Sequence, residues 1–271
     1  MERVTNLIQQ ADVVVHFAAE THVDRSISNP SAFLESNVVG TYTLLEAARK
    51  SKVRKFIQIS TDEVYGSAPD NDSFDEDALL DPSSPYSASK AAADLFALAY
   101  HRTYGLPVSI LRCTNNFGPF QFPEKFIPKS IIRSALDMQV PVYGDGSQVR
   151  DWIYVEDFCD AISRVIELGS NGGVYNVSAG NELPNLQVVK KILGFLKKST
   201  DLIHFVEDRP GHDLRYSLDS HLIREKLGWE PHLTFEDALN LTINWYLSNR
   251  NWWEPLIDEK ILSPTPWKEK W

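Results

Sequence analysis

The stretch VRKFIQISTDEVYG, residues 53–66, joins an apolar run to a polar turn that carries a hydroxyl and two carboxylates side by side. The first part, VRKFIQIS, predicts a β-strand over residues 53–60. Thr61, Asp62 and Glu63 then stand where the strand gives way to a loop. These side chains can simply cap the turn, or they can be an acid and a base that act on one substrate. The stretch by itself favours neither interpretation.

Two further apolar runs lie on either side of this stretch. Residues 11–19 are rich in valine and predict a strand buried on both faces of a parallel sheet, and residues 107–114 predict another strand. Helices are predicted between the strands, one over residues 30–51 that opens at Asn29 and Pro30, and one over residues 84–105 that closes at Gly105. Alternating strands and helices with short connections indicate a doubly wound α/β sheet.

The pattern changes beyond about residue 120, where helices mix with short strands and with loops rich in Gly, Pro and Trp. We therefore expect two interleaved domains, with the sheet in residues 1–120 and a smaller α/β domain in residues 121–271. The tryptophans, among them Trp252, Trp253 and Trp271, are expected in the core and at interfaces.

Composition limits the classes of partner. The 271 residues carry a net charge of −10, which argues against nucleic acids and anionic membranes as partners. Two cysteines, Cys113 and Cys159, cannot form a disulfide framework and suit a reducing cytoplasm. No apolar run approaches the length of a membrane helix, and no spacing of His, Cys, Asp or Glu suggests a metal site.

Polar or small residues follow each of the predicted strands. Ala18 and Ala19 end the first, Ser60 precedes the acidic turn at the end of the second, and Asn115 and Asn116 follow the third. Because ligands of such sheets bind beyond the carboxyl ends of the strands, we expect these loops to face one crevice.

A second pattern, YSASK at residues 86–90, places a phenol and an ammonium on one face of a helix. A nearby lysine lowers the pKa of a tyrosine, which a base needs if it is to take a proton from a sugar hydroxyl near neutral pH. This spacing is common in helices. It becomes a much stronger indication at the start of a helix that follows a buried strand and the acidic turn.

Seven segments together resemble the extended short-chain dehydrogenase/reductases, and within them the thymidine diphosphate glucose 4,6-dehydratases. They are HFAAETHVDRSI, NVVGT, STDEVYG, YSASK, RCTNNFGPFQFPEKFIP, RDWIYVED and DRPGHDLRY. The Thr-Asp-Glu turn is the discriminating part, since Tyr-x-x-x-Lys belongs to the whole superfamily. The resemblance implies an NAD-binding Rossmann domain in residues 1–120 and a nucleotide-sugar-binding domain in residues 121–271. It also implies a homodimer formed through the two long helices.

The implied reaction converts thymidine diphosphate glucose to the 4-keto-6-deoxy sugar, a precursor of rhamnose, with transient reduction of NAD. Tyr86, supported by Lys90, takes the proton of the 4-hydroxyl, and Thr61 hydrogen-bonds the new ketone. Glu63 then removes the C5 proton while Asp62 protonates the departing 6-hydroxyl. Repulsion between neighbouring carboxylates can raise one pKa and keep that group protonated.

The resemblance further implies two sets of binding residues. On the cofactor side they are Ala18, Ala19, Ser60, Tyr86, Lys90 and Asn116. On the nucleotide-sugar side they are Thr61, Asn115, Glu124, Lys125, Tyr143, Arg150, Asn185, Arg209 and His212. Without the resemblance, Arg150 and Arg209 would be interpreted as surface ion pairs, and His22 is interpreted as a loop hydrogen-bonder.

The sequence departs from the family at its start. The family begins with a strand and a Gly-x-x-Gly-x-x-Gly turn that holds the NAD pyrophosphate, and MERVTNLIQQ shows neither. Two crossover units of about 30 residues each correspond to this portion. We therefore expect a partial Rossmann sheet lacking its first strands, weak NAD binding and a tendency to aggregate, with a late gene start favoured over a truncated remnant.

Two alternatives stay open from the sequence. The protein can be another nucleotide-sugar epimerase, dehydratase or decarboxylase of the superfamily, or a non-catalytic remnant that binds a nucleotide sugar.

Overall fold

The computed structural model describes residues 2–271, and its main sheet has four parallel strands in the order β1–β2–β3–β7. The strands are Val13–His16 (β1), Lys55–Thr61 (β2), Val108–Cys113 (β3) and Val174–Val177 (β7). All residues of β2 and β3 are buried, as expected for central strands of a parallel sheet that is covered on both faces. The predicted α/β fold with a parallel Rossmann-type sheet is confirmed.

Helices cover both faces of this sheet. On one face lie α1 (Glu2–Ile8), α4 (Gly40–Ser51) and α5 (Pro85–Tyr104), and on the other lie α7 (Val155–Leu168) and α9 (His221–Leu227). Phe56 and Ile110 point into the first layer, whereas Ile57 and Leu111 point into the second. This alternation is the period of two residues that a strand imposes on its side chains.

The helix predicted over residues 30–51 is present but is irregular. It begins as α3 (Pro30–Phe33), continues as a π-helical segment, Leu34–Val39, and ends as α4. Asn37 lies in the π-helical segment, and π-helical turns are often found at functional sites. The short helix α2 (Val23–Ser28) precedes this long helix.

Helix α5 is capped at both ends. Ser84 Oγ accepts a hydrogen bond from the Ser87 backbone N–H at 3.1 Å, and Ser87 Oγ accepts one from the Ser84 N–H at 3.0 Å. Gly105 closes the helix with a φ of 68°, a left-handed conformation that glycine adopts without strain. The caps place Tyr86 in the first turn and Lys90 one turn later.

The remaining strands form two smaller sheets. One has the order β4–β6–β8, with Asn115–Phe117 (β4), Val149–Tyr154 (β6) and Glu182–Pro184 (β8). The other pairs Val140–Tyr143 (β5) with Ile203–Val206 (β9). Helices α6 (Phe126–Ala135), α8 (Asn185–Phe195), α10 (Phe235–Ser248) and α11 (Arg250–Trp253) pack around these sheets. Asn115 therefore begins a strand of a second sheet, whereas the sequence predicts only the end of a strand at this point.

Residues beyond 120 contribute to both parts of the molecule. Strand β7 completes the main sheet, and α7 and α9 cover one of its faces. Trp253 lies in the core of the second part, where its indole N–H donates to the Tyr246 carbonyl oxygen at 2.8 Å. The division into residues 1–120 and 121–271 stays a prediction. Within residues 2–271, no helix has both the length and the apolar composition to cross a bilayer.

Candidate active site

The acidic turn lies at the carboxyl end of β2, where Asp62–Tyr65 forms one turn of 3-10 helix. Thr61 caps this turn, because its Oγ1 accepts a hydrogen bond from the Glu63 backbone N–H at 3.3 Å and donates one to Asp62 Oδ1 at 3.0 Å. The capping and acid–base interpretations are therefore compatible, since the same hydroxyl caps the turn and holds the Asp62 carboxyl group.

The two carboxyl groups lie in different surroundings. Asp62 is only 3% exposed, and its Oδ2 has no hydrogen-bond partner within residues 2–271. Burial, and then the charge of Glu63, raise the pKa of Asp62 well above its usual value. Burial also raises the pKa of Glu63, but Arg209 and Arg150 act in the opposite direction. Asp62 is therefore the group that keeps its proton, and Glu63 is closer to ionisation.

Tyr86 faces the same turn. Its buried ring packs edge-on against Phe33, with ring centroids 6.2 Å apart. Its phenol is close enough to the turn for Glu63, Thr61 and Asp62 to act on its pKa. The structure thus brings Tyr86 together with the three residues of the turn, as one shared substrate requires.

The predicted lowering of the Tyr86 pKa by Lys90 is wrong for this structure. Burial, followed by the charge of Glu63, raises the pKa of Tyr86 well above its usual value. Lys90 Nζ donates a hydrogen bond to the Ile59 carbonyl oxygen at 2.5 Å, and burial lowers the pKa of Lys90 itself. The spacing placed both side chains on one helix face, but the carbonyl group of β2 competes for the ammonium.

Ser60 has a buried partner of its own. Its hydroxyl donates to Asp94 Oδ2 at 2.9 Å, and Arg112 Nε donates to the same oxygen at 3.0 Å. The Ser60 hydroxyl is therefore already bonded to a buried carboxyl group, although Ser60 was predicted on the cofactor side. Asp94 was not predicted, but its position four residues after Lys90 on α5 was a usable signal.

The other cofactor-side residues lie beyond β1 and β3. Ala18 is exposed and Ala19 is half-buried just after β1. The side chain of Asn37 holds this loop, since its amide bonds the backbone N–H and carbonyl of Glu20 at 2.8 and 3.0 Å. Asn37 was missed from sequence because its role depends on the π-helical segment.

Asn116 offers an unused acceptor just beyond the carboxyl end of β3. Its Nδ2 donates to Cys113 Sγ at 3.2 Å and to the Thr114 carbonyl oxygen at 3.0 Å, while its buried Oδ1 has no partner in the described chain. A free acceptor can receive a hydrogen bond from the carboxamide of the nicotinamide ring of NAD. Ala18, Ala19 and Asn116 are therefore the residues that would hold this ring.

Most of the substrate-side residues surround a partly open cavity of about 150 Å³. Those predicted from sequence that line it are Asn115, Glu124, Lys125, Tyr143, Arg150, Asn185, Arg209 and His212. Glu63 also lines the cavity, which therefore reaches the acidic turn, whereas Thr61, Asp62, Tyr86 and Lys90 are not among its lining residues. Buried polar atoms in its wall lack partners within residues 2–271, among them Asn115 Oδ1, Asn185 Oδ1 and Arg209 Nε.

Four basic side chains concentrate in this cavity, namely Lys125, Lys129, Arg150 and Arg209. The concentration is local, since the whole chain has a net charge of −10. Burial lowers the pKa of Lys125, and that of Lys129 to about 8. A phosphate-bearing ligand would supply the negative charge that these groups lack.

The interpretation of Arg150 and Arg209 as surface ion pairs is wrong. Arg150 is buried, its Nη1 and Nη2 donate to the carbonyl oxygens of Val149 and Asp213 at 2.7 and 2.9 Å, and its guanidinium lies 4.0 Å from the centre of the Tyr216 ring. Arg209 Nη1 lies 2.7 Å from Oδ1 of the buried Asp24. Both guanidinium groups belong to the cavity wall.

Several cavity residues were missed or misjudged from the sequence. His22 is not a loop hydrogen-bonder, because its side chain is buried in the cavity wall and its Nε2 has no partner in residues 2–271. Lys129 follows Lys125 by one helical turn, a spacing that could have identified it. Tyr216 ends the quoted segment DRPGHDLRY, and its hydroxyl lies 3.4 Å from Glu63 Oε2. Glu124 forms an ion pair with Arg25, which was also not predicted.

No group of three or more His, Cys, Asp or Glu side chains within residues 2–271 is arranged to hold a metal ion.

The fold and the site define an NAD-dependent enzyme of the short-chain dehydrogenase/reductase class. More particularly, the chain belongs to the GDP-mannose 4,6 dehydratase family, whose model matches residues 1–242. The resemblance identified in the sequence is thereby confirmed.

The chain is similar in sequence to two dTDP-glucose 4,6-dehydratases. It is 49% identical to a dTDP-glucose 4,6-dehydratase of Streptomyces niveus, over 96% of this chain and 78% of the relative. It is 46% identical to the Escherichia coli dTDP-glucose 4,6-dehydratase, over 92% and 77% of the two chains.

Solved structures give the same result. The dTDP-glucose 4,6-dehydratase of Streptomyces venezuelae, solved with NAD bound, superposes with a TM-score of 0.93 at 47% identity, over 94% of this chain and 79% of that one. A UDP-glucuronic acid 4-epimerase from Bacillus cereus shares the fold with a TM-score of 0.86 but only 28% identity, over 90% and 78% of the chains.

Proposed function

We propose that this protein dehydrates thymidine diphosphate glucose to the 4-keto-6-deoxy nucleotide sugar. One observation carries the proposal: two adjacent carboxyl groups with unequal proton affinities face Tyr86 next to a basic cavity. Oxidation at C4 needs the tyrosine, whereas elimination of water across C5 and C6 needs both an acid and a base. The names of the relatives support thymidine as the nucleoside.

Tyr86 and Thr61 act in the first step, the oxidation at C4. NAD, when bound, supplies a hydride acceptor for C4 and later returns the hydride to C6. Tyr86 takes the proton of the 4-hydroxyl, and Thr61 donates a hydrogen bond to the new carbonyl oxygen. Because the raised pKa keeps the phenol protonated at rest, Tyr86 must first lose its own proton to solvent before it can take that of the 4-hydroxyl. We assign Lys90 to stabilising the resulting phenolate, which requires its Nζ to leave the Ile59 carbonyl oxygen.

Asp62 and Glu63 of the acidic turn carry out the elimination of water. Glu63 removes the C5 proton, and the electron pair of that bond forms the C5–C6 double bond. The C6–O bond breaks as this double bond forms, and its electron pair leaves with the oxygen, which departs as water with the proton of Asp62. The raised pKa of Asp62 suits this role because the group must hold a proton until the 6-hydroxyl departs.

The basic cavity would hold the nucleotide. Lys125, Lys129, Arg150 and Arg209 can bind the diphosphate, and guanidinium groups are good partners for phosphate oxygens. Tyr143 and His212, whose rings lie 6.0 Å apart, line the part that we assign to the nucleoside. Glu124 and Asn185 also line the cavity and we assign them to polar contacts with the substrate.

Incubation of the protein with excess NAD and separate nucleotide sugars tests the proposal. The excess offsets the weak NAD binding that is expected from the sequence. We expect a product that absorbs in alkali, as 4-keto-6-deoxy sugars do, with thymidine diphosphate glucose and at least about tenfold less of it with uridine or cytidine diphosphate glucose. A difference of that size corresponds to about 1.4 kcal/mol in transition-state binding. A C4 epimer without alkali-absorbing product would instead support an epimerase, and binding without any product would support the non-catalytic alternative.

We also propose a homodimer formed through α4, α5 and the π-helical segment. Leu34, Val39, Tyr42, Leu95 and Phe96 are exposed apolar side chains on these helices. The helices pack side by side, so these residues form an apolar surface of a kind that commonly marks a protein interface. A second copy is the occupant that we favour, because a two-fold axis buries the same surface on both chains.

The double substitution Leu95→Glu and Phe96→Glu should convert the dimer to a monomer in sedimentation, because two charges per chain would have to be buried at the interface. The matched control is Leu79→Glu, since Leu79 is 88% exposed and lies outside these helices. A wild-type monomer, or a double variant that stays dimeric, would contradict this interface.

A cytoplasmic location is also proposed, because Cys113 and Cys159 are both free thiols. Cell fractionation with an antibody to the chain would test it.

A further inference from the structure

Asp24 is a buried carboxylate in the cavity wall that the proposed reaction does not use. It lies in α2 and is 1% exposed. Its Oδ1 accepts a hydrogen bond from Arg209 Nη1 at 2.7 Å, and its Oδ2 accepts one from the Tyr143 hydroxyl at 2.8 Å. One carboxylate therefore connects α2 with the end of β5 and with the loop that carries Arg209.

Asp24 and Arg209 form an ion pair in this setting. Burial by itself would raise the pKa of Asp24, but the charges of Arg209 and His22 outweigh it and hold the pKa below its usual value. Burial by itself would lower the pKa of Arg209, but Asp24, Tyr216 and Glu63 together raise it. Arg209 thus neutralises much of the repulsion that the Asp24 carboxylate would otherwise exert on an anionic ligand.

The pairing leaves one edge of Arg209 for a ligand. Nη1 is bonded to Asp24, whereas the buried Nε has no partner within residues 2–271. The remaining edge, formed by Nε and Nη2, is one that a guanidinium can present to two oxygens of a single phosphate. Because the bond to Asp24 removes the freedom of the side chain to rotate, it also fixes the direction of this edge.

We propose that Asp24 is a positioning residue for the nucleotide diphosphate. It orients the Nε–Nη2 edge of Arg209 towards a phosphate. The inference rests on the proposed nucleotide-sugar substrate. Asp24 acts through Arg209, and it does not contact the atoms that react.

The first test compares binding with turnover in the full chain. In Asp24→Ala, calorimetry should show a dissociation constant for thymidine diphosphate that is about 10- to 100-fold higher than in the wild type, as expected for loss of a charge-assisted contact. Binding of thymidine, which has no phosphate, should change much less. KM for the nucleotide sugar should rise by a similar factor while kcat stays within about threefold, because the reacting centre is untouched.

A double-mutant cycle separates positioning from a general structural role. Arg209→Gln removes the group through which Asp24 acts, so adding Asp24→Ala to it should weaken thymidine diphosphate binding by less than about threefold. The matched control is Asp137→Asn, which breaks an exposed ion pair with Lys198 and should leave binding unchanged. Asp24→Asn keeps the shape of the side chain and should fall between the wild type and Asp24→Ala.

Three results would overturn the inference. They are unchanged or tighter thymidine diphosphate binding in Asp24→Ala, an equal loss with thymidine, and a loss that persists in the Arg209→Gln background. If the wild type binds thymidine diphosphate without turning over the sugar nucleotide, the proposed reaction fails while this inference is still tested by binding. If the wild type does not bind thymidine diphosphate at all, both fail.

Discussion

Tyr86→Phe should lower kcat for 4-keto product formation by about 10³-fold, in the range that loss of a general base costs. Without the phenol oxygen, no group of the turn takes the proton of the 4-hydroxyl, because Asp62 is protonated and Glu63 serves C5. The ring itself is kept, so its contact with Phe33 persists. We therefore expect the dissociation constant for thymidine diphosphate glucose to stay within about threefold of the wild type.

The matched control for this variant is Tyr100→Phe. Tyr100 lies on the same helix, but its hydroxyl donates to Glu46 at 2.8 Å and lies outside the cavity. Its loss should leave kcat within about twofold of the wild type, since an exposed or half-exposed polar contact contributes little. A Tyr86→Phe variant that keeps more than a tenth of the activity would remove Tyr86 from the mechanism.

Asp62→Asn and Glu63→Gln should stop the reaction at different points. Each is expected to lower dehydration by about 10²- to 10³-fold. In D₂O, Asp62→Asn should still exchange the C5 hydrogen of the sugar with solvent, because Glu63 remains to remove it. Glu63→Gln should lose both exchange and dehydration. Mass spectrometry of the recovered sugar nucleotide measures the exchange.

The matched control for the acidic pair is Glu76→Gln. Glu76 is a carboxyl group whose pKa burial raises, but it accepts a hydrogen bond from the Asn176 backbone N–H and does not line the cavity. In Glu76→Gln, both exchange of the C5 hydrogen and dehydration should proceed as in the wild type. If Glu63→Gln retains exchange and Asp62→Asn loses it, the two roles are reversed.

The raised pKa values of this pair set the sign of the pH dependence. Dehydration needs a protonated Asp62, so it is lost as pH rises through the raised pKa of Asp62. It also needs an ionised Glu63, so it is lost as pH falls through the pKa of Glu63. In Asp62→Asn, exchange of the C5 hydrogen should still be lost as pH falls, because the exchange still depends on an ionised Glu63.

Much of the framework could be predicted from local sequence. Strand β2 and helix α5 were predicted within a few residues, because a buried strand needs an apolar run and Ser84 and Gly105 carry the capping signals of the helix. The eight cavity residues came from matched motifs rather than from spacing. The π-helical segment and the return of β7 to the sheet were not predictable, since both depend on packing against distant segments.

The sequence by itself determined the parallel sheet, the capped helix with Tyr86 and Lys90 on one face, and the presence of an acidic turn after β2. Only the tertiary structure decided which atoms these groups meet. It turned Lys90 towards the Ile59 carbonyl, buried Asp62 more deeply than Glu63 and joined Asp24 to Arg209 and Tyr143. The reason is that backbone propensity acts over neighbouring residues, whereas burial and hydrogen-bond partners are set by segments that meet only in the folded chain.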